Sequence, residues 1–511
     1  MTTVSKNSFI NFLYPFRFES SSYAELIQTT DSLRATTKQG DLPLWSRETF
    51  AEEDLLPHVA RYLNNQDDSS PTARLWQMNP NALNSPFFFG ANADWDLHTS
   101  HGELRFVIEN LELVLFRAGV GFLIIRARPV SESLSNWQDF IHYFRYLRRL
   151  HQVNLRAQRR IGIDTVTRTP VYEPYTPPLL ENRTSNSPVV LGEILTALLT
   201  RVAKDGEQWW EEVFVAGQLI PFVALGVNEL TSGDAPALLY KMRNFFHSGQ
   251  GQHPGSDDLR HDHHSLLPYA ERQWFTTSLD GGAFVGVDMP DTPFFQQTLT
   301  DHLRNQYFLL FLLTQHQRFI LMDLSSQVSQ HWLHRDDVVR AAAFERIRDA
   351  LLDFTARGYF AQVMQREHHH RYYKKLQNEL DLARLYREVR DEVTEMHNYL
   401  QMKRTAQLQE LAEAQKRDSE EQRRHMEAVA EDEARRDRRL EKRLSLIGLI
   451  VGAPVLIMSF LSINLLGFTS NEGLPLRRAL LLIATLSVVL IAIVAVLFKV
   501  FPSTTRINKT K

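Results

Sequence analysis

The chain has 511 residues, enough for two or three folded units with a core each. A net charge of -3 provides no global basic field for duplex DNA or RNA, so no direct nucleic-acid binding is expected. With no cysteine in the chain, disulfides, cysteine-ligated zinc and thiol nucleophiles are excluded together.

The N-terminal stretch "MTTVSKNSFINFLYPFRFES" lacks a basic segment followed by a sustained apolar one, and no signal peptide is expected. Residues 1–165 read as a first α/β subdomain. Within it "ELRFVIENLELVLFRAGVGFLIIRARP", residues 103–129, is rich in Val, Ile, Leu and Phe, and its glycines predict a strand hairpin turning near Gly119. "SNWQDFIHYFRYLRRLHQVNLRAQRR" follows with helical spacing, and then Pro170, Pro174, Pro177, Pro178 and Pro188 mark a loop or boundary. A second α/β subdomain is expected over residues 166–291. It holds a helix from about Leu191, strands in "EEVFVAGQLIPFVALGV", a helix near residues 235–246, and strands in "RQWFTTSLDGGAFVGVDM".

Residues 292–443 turn helical. Two long packed helices are expected across residues 294–333 and 335–357, with "YFLLFLL" (residues 307–313) too short for a bilayer and read as core. No glycine or proline occurs between Gly358 and Gly448, which as one helix would reach roughly 134 Å. Leu382, Leu385, Val389, Val393, Met396 and Leu400 form a packing stripe along its first half. Past Leu411 charges of both signs take over, which fits either a solvated spacer held by i,i+4 ion pairs or a stalk held by neighbouring subunits.

Two uncharged runs close the chain, residues 444–467 and 479–498, of roughly 36 and 30 Å if helical. They predict a two-helix transmembrane hairpin over residues 444–498 and a cytoplasmic tail over 499–511. The basic residues Arg435, Arg436, Arg438, Arg439, Lys442 and Arg443 before it, with Lys499, Arg506, Lys509 and Lys511 at or after its end, predict that both termini are cytoplasmic. On a helical wheel Ser445, Gly448, Gly452 and Ser459 share one face of the first run, either lining a pore or, through the GxxxG step, packing helices. Asp437 and Glu441 continue that face, either as acidic rings at a cytosolic mouth or as partners of adjacent arginines.

This layout and the last ~140 residues resemble the CorA-like metal-ion transporters. The resemblance implies a homopentamer in a bacterial inner membrane, with the first span lining the pore. The family's outer loop carries a Gly-Met-Asn signature, or Gly-Ile-Asn or Gly-Val-Asn followed by Gly-Ile-Pro in zinc-transporting relatives. In "SINLLGFTSNEGLPLRR" the corresponding triplet is Gly467-Phe468-Thr469, and Gly473-Leu474-Pro475 matches the trailing part. The glycine is kept while a threonine replaces the asparagine; Asn464, Asn471 and Glu472 are the other polar candidates for the loop.

The fold class expected is thus an α/β cytosolic domain, a long helical stalk and two C-terminal transmembrane helices. The function expected is a cytosolically gated ion channel or transporter, with a divalent cation of the magnesium or zinc type as transported or regulatory ion. The lipid bilayer and further copies of the chain are the partners this implies. The alternatives are an effector triggered by a small nucleotide ligand in bacterial antiviral defence, and a membrane-anchored interaction scaffold. Away from the hairpin, "HSGQGQHPGSDDLRHDHHSLL" offers His261, Asp262 and His264 either as a few ligands of a regulatory metal or as part of a surface loop. No P-loop, GxGxxG or G-x-S-x-G pattern occurs, and no enzymatic activity is expected.

Overall fold

The structure is a computed structural model of the chain. It describes residues 2–466 apart from 38–39, 65–70, 85–92, 100–101, 147–153, 175–178, 180–190, 203–207, 216, 261–262 and 333–335, and beyond 466 only residues 481, 484–485, 488–489 and 492. Two compact units divide it, Met1–Gln401 and Met402–Lys511.

Unit 1 is built on one large sheet. Its principal strands are β1 (Phe9–Phe18), β2 (Ala73–Met78), β3 (Ala93–Thr99), β4 (Gly102–Phe116), β5 (Val120–Pro129), β6 (Asn154–Ile163), β7 (Pro170–Pro174), β8 (Ile220–Asn228), β9 (Leu266–Ala270), β10 (Gln273–Ser278) and β11 (Gly281–Val287). Their order is β7-β6-β3-β4-β5-β1-β8-β11-β10-β9, with β2 paired to the second half of β4. All these neighbours are antiparallel except β8 and β11, which run parallel. Strands from both sides of residue 165 therefore pair in a single sheet, since β8 lies between β1 and β11.

The central strand explains the architecture. Every residue of "FINFLYPFRF" except Arg17 is buried, so β1 must be covered on both faces. Ile10, Phe12, Tyr14 and Phe16 enter one core with α1 (Tyr23–Ser32), α3 (Leu134–Phe144), α4 (Leu191–Thr200) and α5 (Ala235–Asn244), where α2 (Pro57–Asn64) belongs to the opposite layer. Phe9 and Leu13 enter a second core with α2, α6 (Phe308–Trp332), α7 (Asp337–Arg357) and α8 (Glu367–Glu379). The sheet is thus the middle of three layers.

The expected hairpin is β4 and β5, closed through Gly119 at φ +89°; a Cβ there would stand 2.7 Å from the Phe18 carbonyl oxygen. The run Tyr307–Leu313 is core, none of it more than 6 % exposed. Two π-turns, Phe294–Thr298 and Leu303–Tyr307, flank one α-helical turn, Leu299–His302, immediately before α6.

The glycine- and proline-free stretch is two helices. Asp381 adopts the left-handed conformation at φ +49° between α8 and α9 (Leu382–Leu466), a backbone state that aspartate tolerates better than most residues. Val389, Val393, Met396 and Leu400 of α9 are buried in the second core with Leu385 half-buried against it, and Leu382 is buried as well, as the stripe predicts. From residue 404 to 449 every described residue of α9 is exposed, and the turns carry i,i+4 pairs such as Arg417–Glu413, Arg435–Glu431 and Arg436–Asp432.

The expectation of two transmembrane helices is overturned, and with it the multi-pass inner-membrane placement and the fold class that contained them. Among the described residues no helix is long and apolar enough to cross a membrane. A crossing needs ~20 predominantly apolar residues in unbroken succession. The first run forms the end of α9, where the fully described apolar surface, residues 444–452, directly follows the charged turn Arg438, Arg439, Glu441, Lys442 and Arg443. Of the second run only a few separate helical positions belong to the described residues. What stands is a sheet-rich N-terminal unit and a long helical C-terminal region.

Candidate functional site

A cleft of about 200 Å³ opens on the second face of the sheet, under the start of α6. Its floor is the central sheet and its walls are the loop at residues 49–51 and the second π-turn. The charged groups in it are Glu112, Arg126 and Arg304.

Strand pairing places the first two. Arg126 of β5 is opposite Asn110 of β4 on one side and Asn11 of β1 on the other, while Glu112 is one pleat further along β4. The register of β4 shifts between Ile108 and Asn110, a bulge of the kind that re-aims side chains next to sites. Arg126 donates from Nε to Asn11 Oδ1 at 2.9 Å, and Asn110 Nδ2 donates to Glu112 Oε1 at 2.7 Å. The ion pair itself is loose, with Arg126 Nη2 3.7 Å from Glu112 Oε1.

Arg304 comes from the other side, within the π-turn Leu303–Tyr307. Such turns are rare and recur at functional sites, because the inserted residue displaces the side chains around it. The Phe9 ring lies between sheet and helix: the Arg304 guanidinium carbon is 5.2 Å from its centroid and that of Arg126 is 5.8 Å. Arg304 Nε is buried with no hydrogen-bond partner among the described residues. Neighbouring contacts hold the walls. Asn64 bonds both backbone groups of Phe50 (Phe50 N to Oδ1 2.9 Å, Nδ2 to Phe50 O 2.8 Å), and Gln306 of the π-turn donates to Glu53 at 3.0 Å.

The electrostatics follow from burial. Desolvation pushes the Glu112 carboxyl above its ordinary value, and Glu48 adds to this against the opposing pull of Arg126 and Asn110. Desolvation likewise lowers Arg126, and Arg304 repels it further. Two cations therefore face one weakly ionising carboxylate in an apolar setting, an arrangement that attracts negative charge. It does not suit a metal, since only one carboxylate and no imidazole is present; more widely, no group of three His, Cys, Asp or Glu among the described residues is arranged to hold one.

The residues singled out from sequence are elsewhere. Gly467, Phe468, Thr469, Asn471 and Glu472 lie outside the described residues, and Asn464 is described only as backbone in the last turn of α9. Ser445, Ser459, Asp437 and Glu441 are exposed on α9, and a Cβ added at Gly448 or Gly452 would meet nothing within 4 Å. His261 and Asp262 lie outside the described residues, while the ring of the exposed His264 lies 4.2 Å from that of His263, tilted by 33°. Beside them Asp258 is ion-paired with Arg243. The cleft went unread, although Glu112 inside "LELVLF" and Arg126 inside "GFLIIRARP" are charges in otherwise apolar strands, which is itself a signal.

No protein-family model matches this sequence, and no match is found among curated proteins or solved structures.

Proposed function

We propose that this protein is a ligand-responsive regulatory protein that works by binding rather than catalysis. Unit 1 takes a small ligand in the cleft between sheet and α6, and the response leaves through α9 to further copies of the chain. The observation that carries this reading is the cleft, where a charged strand pair meets a π-turn at the root of a core helix. Two further observations support it. Phe308, Leu309 and Leu312 line the cleft and belong to the same core as Val389, Val393 and Met396 of α9, so a shift in one is felt by the packing of the other. Further along, α9 exposes Met402, Leu408, Leu411, Met426 and Val429.

Hydrogen exchange on the full chain, paired with sedimentation velocity, tests the proposal across a library of small charged metabolites and nucleotides. A binding ligand is expected to protect the turn Leu303–Tyr307, to alter exchange in residues 382–411, and to change the sedimentation coefficient. A ligand that protects the cleft and leaves α9 and the sedimentation coefficient unchanged refutes the relay.

A further inference from the structure

We propose that the cleft is a phosphate site, with Arg126 and Arg304 as the two jaws that take a phosphoryl group, free or at the end of a larger molecule. This inference rests on the regulatory reading above and names the chemistry of its ligand.

Three observations select an anion. The positive groups outnumber the negative one, and the guanidiniums are close enough to repel each other, a cost that a bound anion converts into attraction. Arg304 has no ion pair among the described residues, and its buried Nε is unused, so its donors are available in a place where water is scarce. Arg126 commits Nε to Asn11, and its 3.7 Å separation from Glu112 exceeds hydrogen-bonding distance, which leaves its terminal nitrogens available as well.

The choice of a phosphoryl group over a carboxylate or a cation follows from geometry. Planar guanidiniums approaching from the sheet and from the helix suit a tetrahedral anion with several acceptor oxygens, whereas a carboxylate satisfies one fork. The apolar wall of Val114, Ile124, Phe308 and Leu312 excludes water and strengthens each bond. At about 200 Å³ the cleft is smaller than the ~300–1,000 Å³ usual for whole drug-sized ligands, so it takes a group rather than a complete nucleotide. Glu112 is the specificity element. Held by Asn110, it repels a second negative group and limits occupancy to one phosphate.

The test uses the full chain, with inorganic phosphate and a nucleoside monophosphate as probes and both calorimetry and thermal shift as readouts. The variants are Arg304→Gln and Glu112→Gln, with circular dichroism confirming that each is folded. Arg304→Gln is expected to weaken phosphate by roughly tenfold or more, as loss of one charge-assisted contact demands. Glu112→Gln is expected to strengthen it, because it removes the opposing charge and keeps an acceptor for Asn110. Opposite signs from two neighbouring changes, each shown to be folded, are not produced by a merely structural role. Comparing the two probes separates sources: equal affinity marks free phosphate, and tighter monophosphate binding marks a phosphoryl group on a larger ligand, either of which supports the site. If neither probe binds, or if both variants shift binding the same way, the phosphate assignment is overturned. If a cation or neutral compound instead binds with the variant signs reversed or with Arg304 irrelevant, the assignment falls while the regulatory reading survives.

Discussion

His316 provides a test of how the second core is held together. It sits in the middle of α6 with 0 % exposure, its ring 3.7 Å from that of Phe116 at 32° and 6.2 Å from that of Tyr62. Neither ring nitrogen has a hydrogen-bond partner among the described residues. Burial alone lowers its pKa from 6.5 to about 3. The folded value is below the unfolded one, so the unfolded chain binds the proton more tightly. The stabilising effect of a neutral His316 is therefore complete above pH 6.5 and is lost as pH falls towards 3. At about 1.36 kcal/mol per pH unit the loss between pH 6.5 and 4.5 is at most about 2.7 kcal/mol, a sizeable share of the ~5–15 kcal/mol that holds a typical domain. His316→Leu removes the proton-linked part. At pH 7 it is expected to be close to neutral, since relief of two unpartnered nitrogens, about 1–3 kcal/mol, offsets a lost ring contact of about 0.5–1.5 kcal/mol. Urea unfolding of both proteins at pH 7, 6, 5 and 4.5 gives the difference directly. His142 and His369, each lowered to about 4 by burial, titrate in both proteins and cancel. The variant should gain on the wild type by about 2–3 kcal/mol on going from pH 7 to 4.5. Parallel stability curves would show that the ring is hydrated and that the buried-neutral argument is wrong.

Glu112 has the opposite sign. Its carboxyl is raised above the unfolded value, so the cost of ionising it in the cleft is absent below the unfolded pKa of 4.5 and grows as pH rises through the raised value. Glu112→Gln should therefore become progressively more stable than the wild type as pH rises from 4.5 in the absence of ligand, measured by thermal unfolding. Leu310→Ala, at a fully buried position on α6, should cost about 2–5 kcal/mol in urea unfolding, whereas Leu352→Ala, 60 % exposed on α7, should stay within about 0.5 kcal/mol. Gly119→Ala should cost about 1–3 kcal/mol, combining the left-handed φ with a Cβ driven onto the Phe18 carbonyl, and the same measurement checks it.

What was legible in the sequence is what local periodicity encodes. The β4–β5 hairpin, the helix at Ala235–Asn244, the burial of Tyr307–Leu313 and the stripe on α9 all follow from spacing within a window of about ten residues. The helical reading of residues 135–160 holds only for its first part, Leu134–Phe144, because "NLRAQRR" pairs into the sheet as the start of β6. The strand order does not, because it depends on pairings such as Asn11 with Arg126 and Phe222 with Gly282, for which the intervening chain carries no mark. The cleft is hidden for the same reason: Glu112, Arg126 and Arg304 meet only after sheet and helix have packed. No glycine or proline marks the break at Asp381, where an aspartate supplies the left-handed residue. The transmembrane expectation failed on a different ground. It weighed the apolar composition of two runs, whereas the described helix that contains the first carries charge along most of its length.

The behaviour of α9 links these observations to function. A helix is held mainly by the face it buries, and α9 buries one as far as Leu400 and none from residue 404 onward to residue 449. The i,i+4 pairs that follow contribute only about 0.2–0.5 kcal/mol each, which is small beside the fraying tendency of an unsupported helix. The boundary between the two units falls at the same place, between Gln401 and Met402. A segment in that state is the one a ligand can most readily bias, because a small change in how its packed root is held alters the helix beyond it at low energetic cost. Replacing Val393 and Met396 with alanine should therefore uncouple the two ends: the cleft should still bind its ligand, and exchange in residues 402–440 should no longer respond to it. If exchange there tracks ligand equally in the double variant, the signal does not pass through the buried stripe of α9.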